Sequence, residues 1–169
     1  RTYSEGIDLD ASYETDLAAG ALRLHLLWTH QSVLKTQALP GAQLTDAAGT
    51  AQTPVDRVAL MASYRQDDVT LSLLQRYQSS FHQNANPTVV FDIPDVRAYF
   101  QTDLDLSYDF EAVGQNLTGF LNVSNLFNAQ GGIFQTAGYT GSPGLNYPVG
   151  PGADLIGRYF TMGLRLNPG

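Results

Sequence analysis

The chain lacks cysteine and has few charged side chains. None of its 169 residues is a cysteine, which excludes disulfide bonds and thiolate metal ligands. Charged residues make up only 15% of the chain, against about a quarter in ordinary soluble proteins. The formal net charge is −7. This charge argues against a nucleic-acid-binding protein, because such proteins normally carry a basic patch.

The sequence also lacks long apolar runs and recognisable catalytic motifs. No run of about 18 apolar residues is present, so no transmembrane helix is predicted, although the strands of a membrane barrel need only about ten alternating residues. The spacing of His25, His30 and His82 suits no metal site. No glycine-rich phosphate loop and no nucleophile elbow occurs. We therefore predict no catalytic, cofactor-binding or metal site, and a protein that is not an enzyme.

What the sequence does contain is apolar and polar residues that alternate with period 2. Such alternation is typical of β-strands with one wet face and one apolar face. It extends over about 10–15 residues per segment, whereas strands of soluble proteins average about five or six. About seven segments show it: residues 4–16, 21–35, 57–66, 69–80, 96–110, 116–128 and 156–166. The sequence predicts an all-β fold of antiparallel, up-and-down strands.

The links between these segments alternate in length. Short links follow the first, third and fifth strands, and long ones, at about 36–56, 81–95 and 128–156, follow the second, fourth and sixth. Outer-membrane barrels have this asymmetry, with short periplasmic turns and long extracellular loops. The pattern favours a transmembrane β-barrel, with aromatic residues near the strand ends as interfacial girdles.

Three phrases of sequence carry a family resemblance. They are Glu5-Gly6-Ile7-Asp8-Leu9-Asp10 near the start, Val123-Ser124-Asn125-Leu126-Phe127-Asn128, and Gly157-Arg158-Tyr159-Phe160-Thr161-Met162-Gly163-Leu164-Arg165. The last two, in this order and separated by one long loop, resemble the final two strands of TonB-dependent outer-membrane receptors. The resemblance implies that residues 1–169 form the C-terminal segment of a 22-stranded barrel. No stretch resembles the family's plug domain or its TonB box.

The resemblance also implies a function. Members of this family import a scarce nutrient, such as a siderophore, a vitamin or an oligosaccharide, across the outer membrane of a Gram-negative bacterium. The expected partners are the N-terminal plug and the remaining barrel strands of the parent chain, the TonB complex through the plug, the ligand and the lipid bilayer. Nucleic acid is not among them, and no cofactor is expected.

Two groups of residues are candidates for functional contacts. The first group shares the wet face of the predicted strands and would face the lumen of a barrel, where the resemblance implies that acids pair with basic residues of a plug; it comprises Asp8, Asp10, Arg23, Asp103, Asp105 and Asp109. A solvated strand face would carry the same residues. The second group lies in long loops and combines area with hydrogen-bonding capacity, as ligand contacts require; it comprises Asn84, Asn86, Tyr139, Asn146 and Tyr147.

Two other functions fit parts of the pattern. A soluble β-sandwich binding module would use the aromatic residues as a core, with two sheets packed face to face. A passive porin-like channel would share the strand pattern and the loop asymmetry.

Overall fold

The computed structural model describes residues 1–86, 88–134 and 153–167, and these form β-strands and loops. Seven strands are long, and three have two residues each. The ten strands are β1 (Thr2–Leu17), β2 (Gly20–Thr36), β3 (Thr45–Asp46), β4 (Asp56–Gln66), β5 (Val69–Gln78), β6 (Phe81–His82), β7 (Asp95–Val96), β8 (Tyr99–Ala112), β9 (Gln115–Ser124) and β10 (Tyr159–Asn167). The chain is therefore all-β, as the alternation predicts.

The seven long strands form one antiparallel sheet in the order β1-β2-β4-β5-β8-β9-β10. Each long strand pairs with the next long strand along the chain, so the predicted up-and-down order is confirmed. The two-residue strand β3 pairs with β2, and β6 pairs with β7 in a separate small sheet. Two isolated bridges between loop residues, Ala48 with Thr53 and Thr50 with His82, are parallel.

The register divides the sheet into a polar face and an apolar face. In β2, for example, Arg23 and His25 lie opposite Ser63 and Met61 of β4, whereas Leu24 lies opposite Ala62. Directly opposed residues lie on the same side of a sheet. Side chains on the apolar face stay exposed, among them Leu9 (42%), Leu73 (37%), Tyr108 (51%) and Leu164 (70%). Among the described residues no second sheet of comparable size covers them.

Two-residue turns join the strands at one end of the sheet. They are Ala18-Ala19, Asp67-Asp68 and Val113-Gly114. Hairpin turns of this length match the twist of the strands when they contain positive φ angles, and here Ala18, Asp67, Val113 and Gly114 have φ between 51° and 69°. These turns confirm the short links of the sequence pattern.

The small buried core lies among the long links at the opposite end. Phe81 of β6 lies opposite Val96 of β7, Ala51 comes from the link between β2 and β4, and Phe134 packs against these residues. The rings of Phe81 and Phe134 meet edge to face, with centroids 6.1 Å apart. β6 and most of its connection to β7 thus lie in the link 81–95, which the sequence predicts as a plain loop, while Val96 of β7 is the first residue of the next predicted strand. The core residues are far apart in sequence and follow no period, so the sequence pattern does not predict this core.

Several strand boundaries also differ from the predicted ones; β10, for example, begins at Tyr159 and not at residue 156. β8 begins at Tyr99, because Asp95 and Val96 pair with β6 instead. β9 ends at Ser124, since Asn125 has a φ of +52° that a strand cannot accommodate. Within the ranges described, no helix has the length and hydrophobicity needed to cross a bilayer.

Candidate functional site

The polar face of the sheet contains a groove of about 720 Å³. Its polar-face lining comes from five neighbouring strands: Ser12, Glu14, Arg23, His25, Met61, Ser63, Ser72, Leu74 and Asp105. We call this polar face the concave face and the apolar face the convex face, after the places that the two faces would take in the predicted barrel. All six residues predicted to face a lumen lie on this face, according to the register.

Charged pairs bridge neighbouring strands across the concave face. Arg23 Nε donates to Glu14 Oε1 at 2.9 Å, and His25 Nε2 lies 2.7 Å from Asp10 Oδ1, both between β1 and β2. Asp109 accepts a 2.6 Å hydrogen bond from the Thr118 hydroxyl, and Arg65 lies 3.7 Å from its other oxygen. Most of these side chains are exposed, so each pair contributes little to stability in water.

Asp103 has a different role from the other predicted acids, because it is the centre of a part-buried network. Its side chain is only 16% exposed and pairs with Arg76 of β5. It also accepts hydrogen bonds from Gln101 Nε2 (2.9 Å) and from the backbone N–H of Asn125 (2.8 Å). Gln101 in turn accepts a hydrogen bond from the Tyr99 hydroxyl. Asp103 therefore fixes the start of the link that follows β9.

Asp8 and Asp105 are the two predicted acids that make no hydrogen bond or ion pair with the part of the chain that the structure describes. Both are exposed on the concave face. Arg23, Asp10, Asp103 and Asp109 are satisfied within the sheet, and so they are less available for partners than the sequence pattern suggests. Asp8 and Asp105 are the acids that a basic partner could reach without breaking an existing pair.

The concave face also carries an apolar patch that the sequence pattern does not predict. Met61 of β4 lies directly opposite Leu74 of β5. Leu27 of β2 is the diagonal neighbour of Met61, since it lies opposite Ala59. Leu27 and Met61 are 39% and 38% exposed. These residues interrupt the strict alternation of their strands, and that interruption is the sequence signal that locates the patch.

The two C-terminal phrases of the resemblance contact each other. Asn125 is fully buried, and its side-chain amide exchanges two hydrogen bonds with the backbone of Ala129, at 2.7 and 2.9 Å. The backbone N–H of Arg158 donates to Asn128 Oδ1 at 3.1 Å, and its guanidinium donates to the carbonyl of Leu126. A Cβ added to Gly157, which has a φ of +81°, would lie 2.8 Å from Asn128 Oδ1. We call Asn125, Leu126, Asn128, Gly157 and Arg158 the clasp.

The clasp holds the start and the end of the long final link next to each other. It thereby sets the register in which β10 returns along β9, with Tyr159 opposite Ser124. The sequence pattern by itself does not predict that these two segments contact each other.

The predicted loop contacts are only partly described. Asn84 Oδ1 accepts from the N–H of Asn86, and Asn86 Oδ1 accepts from the N–H and the hydroxyl of Thr88. Both side-chain oxygens are thus used in turns, and their role as ligand contacts stays a prediction. Tyr139, Asn146 and Tyr147 lie outside the described residues.

Asp46 stabilises the link between β2 and β4. Its carboxylate accepts hydrogen bonds from the backbone N–H groups of Leu34 (3.0 Å) and Ala48 (3.1 Å). These two bonds hold the pKa of Asp46 below its usual range. The link is therefore anchored to β2 while Asp46 is ionised.

The convex apolar face has aromatic residues at both ends. Trp28, Tyr77 and Phe100 lie in one row of the ladder toward the long links, with Val58 between the first two. Tyr64, Tyr108 and Phe110 lie toward the short turns, and the rings of the last two stack with centroids 5.8 Å apart. Leucines and alanines fill the zone between, including Leu60, Ala62, Leu71, Leu73, Leu104 and Leu106.

No cluster of three or more histidine or carboxylate side chains with the geometry of a metal site occurs in residues 1–86, 88–134 and 153–167. In comparisons with known proteins, no family model matches the chain, and neither a curated protein nor a solved structure does.

Proposed function

We propose that the chain is part of the wall of an outer-membrane receptor that imports a scarce nutrient with energy coupled through TonB. The concave face would line the lumen and the convex face would contact lipid. The long links would lie outside the cell and capture the ligand, which would be a siderophore, a vitamin or an oligosaccharide. The edge strands β1 and β10 would pair with the remaining barrel strands of a longer chain, and a plug would contact the concave face.

The observation that carries this proposal is the exposed apolar face with its two aromatic borders. Phe110 lies ten residues after Phe100 in β8, which is about 34 Å along the strand. With a strand tilt of about 40°, this length spans about 26 Å, close to the height of about 25 Å for the apolar band of outer-membrane barrels. A soluble protein would have to cover these side chains, because large exposed apolar patches are unfavourable in water.

The topology and the loop lengths support the same proposal. Strands that pair only with their sequence neighbours leave no crossover, as a membrane barrel requires. The assignment to TonB-dependent receptors rests on the resemblance of the strand phrases, and the clasp gives those phrases a shared structural role. Reading the gene upstream of Arg1 tests the assignment: we expect it to encode a plug and a TonB box.

Trp28 provides a direct test of the lipid-facing surface, because it is the chain's single tryptophan and lies on the convex face. We expect its fluorescence to be quenched strongly when the chain is refolded in micelles that contain a brominated detergent. The matched control is the double variant Trp28→Phe/Phe120→Trp, which moves the indole to the concave face. Equal quenching of the two proteins would contradict the proposal.

A further inference from the structure

Four neighbouring strands place hydrogen-bond donors in one row of the concave face. Thr29 lies opposite Arg57, Arg57 lies opposite Gln78, and Gln78 lies opposite Tyr99. The four strands β2, β4, β5 and β8 lie about 4.8 Å apart, so the row is about 14 Å wide. It lies at the long-link end of the sheet and lines a groove of about 310 Å³. We call these four residues the donor row.

Arg57 is the charged residue of the donor row, and no carboxylate of the described residues pairs with it. The guanidinium groups of Arg23, Arg65 and Arg76 each pair with a carboxylate. Arg57, in contrast, is exposed, and its one hydrogen bond within the described chain goes to the carbonyl of Gln52, at 3.0 Å. Asp56, its neighbour in sequence, lies on the opposite face of the sheet and contacts His30. At least one edge of the Arg57 guanidinium is free.

The two residues directly opposite Arg57, Thr29 and Gln78, add free donors, and neither of them is an acid. The hydroxyl of Thr29 and the amide of Gln78 have no partner among the described residues, while the Tyr99 hydroxyl contacts Gln101 and the N–H of Asp154. The second arginine of the groove, Arg76, is held by Asp103. Asp8 continues the row on β1, but two strands away, at about 10 Å from Arg57.

We infer that the donor row is a subsite for an anionic group of the ligand, a carboxylate or a phosphate, with Arg57 as its main contact. A guanidinium binds such groups with two parallel hydrogen bonds, which a lysine cannot reproduce. The net charge of the protein is −7. An arginine without a carboxylate partner that lines a groove is therefore the expected contact for an anion. The inference rests on the proposed function, in which the ligand enters from the side of the long links. It favours an anionic nutrient over a neutral oligosaccharide.

Calorimetric titration of the full chain in neutral detergent micelles tests the subsite, with citrate and inorganic phosphate as probes and maltose as the neutral control. We expect saturable binding of at least one anion and none of maltose. Whichever anion binds identifies the source of the charge as carboxylate or phosphate. Arg57→Gln should weaken this binding about tenfold or more, since it removes charge-assisted hydrogen bonds.

Arg97→Gln is the matched control, because Arg97 also lies near the long links and also donates only to carbonyl groups, those of Gln130 and Gly131. It should leave anion binding unchanged. Arg57→Lys keeps the charge and should weaken binding less than Arg57→Gln. Circular dichroism verifies that each variant retains its strands. Equal affinity of wild type and Arg57→Gln, equal losses in Arg57→Gln and Arg97→Gln, or no saturable binding of either anion would overturn the subsite.

The fluorescence test separates this inference from the proposed function. Quenching of Trp28 without Arg57-dependent binding rejects the donor row as an anion site and leaves the receptor proposal in place. Arg57-dependent binding without quenching rejects the membrane receptor and leaves an anion-binding groove on a protein of another class.

Discussion

At the scale of single residues, Asn125 has the strongest structural role in the clasp. It is fully buried, it has a positive φ that asparagine tolerates better than most residues, and its amide makes two hydrogen bonds to Ala129. Its replacement leaves the part-buried backbone N–H and carbonyl of Ala129 without these partners, and an unsatisfied buried group costs about 1–3 kcal/mol.

We therefore expect Asn125→Ala to lower the free energy of unfolding by about 1–3 kcal/mol, measured by thermal unfolding in detergent micelles. Asn125→Gly removes the same hydrogen bonds but accepts the positive φ, so the difference between the two variants isolates the backbone strain. Asn116→Ala is the control, because Asn116 is exposed and its side chain makes no described hydrogen bond. A loss of stability as large in Asn116→Ala would show that the clasp contacts are not its cause.

Val113 provides a second prediction at this scale. It is 100% exposed in the turn between β8 and β9, and its φ of +54° is unfavourable for a β-branched residue. Val113→Asn would create an Asn-Gly turn, the sequence preferred for two-residue hairpins with positive φ. We expect this variant to raise the free energy of unfolding by about 1 kcal/mol. Val90→Asn, in a loop position that is 89% exposed and has no positive φ, should have almost no effect.

At the scale of secondary-structure elements, β8 has neighbouring residues on the two faces that the proposal assigns to lipid and to the lumen. Leu104 lies on the convex face between Leu73 and Val123, midway between Phe100 and Tyr108. The next residue, Asp105, is exposed on the concave face. Asp103 would be a poor reference for the concave face, because its replacement would disrupt three contacts.

If the convex face contacts lipid, Leu104→Arg should cost about 2–4 kcal/mol, the penalty for arginine near the bilayer midplane. Asp105→Asn should cost much less, since it neutralises an exposed side chain without a described partner. Urea titrations of both variants, made in the parent chain with its remaining barrel strands and refolded in lipid vesicles, measure the two costs. Similar values for the two substitutions would mean that the faces are assigned the wrong way round, or that neither contacts lipid.

At the scale of the whole molecule, the sheet has two open edges and a broad apolar face. Strands β1 and β10 each have one paired side among the described residues. Unpaired backbone groups on a long edge invite pairing with another chain, and they cannot stay unpaired in hydrocarbon. The chain alone is thus expected to be unstable as a monomer, either in water or in a bilayer.

We predict that residues 1–169 prepared without detergent will aggregate or pair their edges with a second copy, and that they will not form a stable monomeric pore. Light scattering gives the particle size, and circular dichroism gives the strand content. A monodisperse monomer that unfolds cooperatively in water would contradict the barrel proposal. It would favour a soluble β-sandwich module, in which a closed core hides the leucines of the convex face.

The sequence by itself determined the strands, their order and their two faces. Alternation over long segments is a local property, and short turns force neighbouring strands to pair, so β1, β2, β4 and β5 follow almost directly from the residues between Ser4 and Gln78. The wet-face positions of Asp10, Arg23 and Asp105 follow from the same period of two. No distant contact is needed for any of these conclusions.

Only the tertiary structure decided which of these residues are paired, buried or free. The burial of Asn125, the network around Asp103 and the β6–β7 hairpin depend on contacts between segments that are far apart in sequence and follow no period. The donor row likewise depends on register, because shifting a strand by one residue would send its side chains to the other face. For Arg57, register and surroundings together distinguish an unpaired cation in a groove from Arg23, Arg65 and Arg76, which pair with carboxylates on the same face.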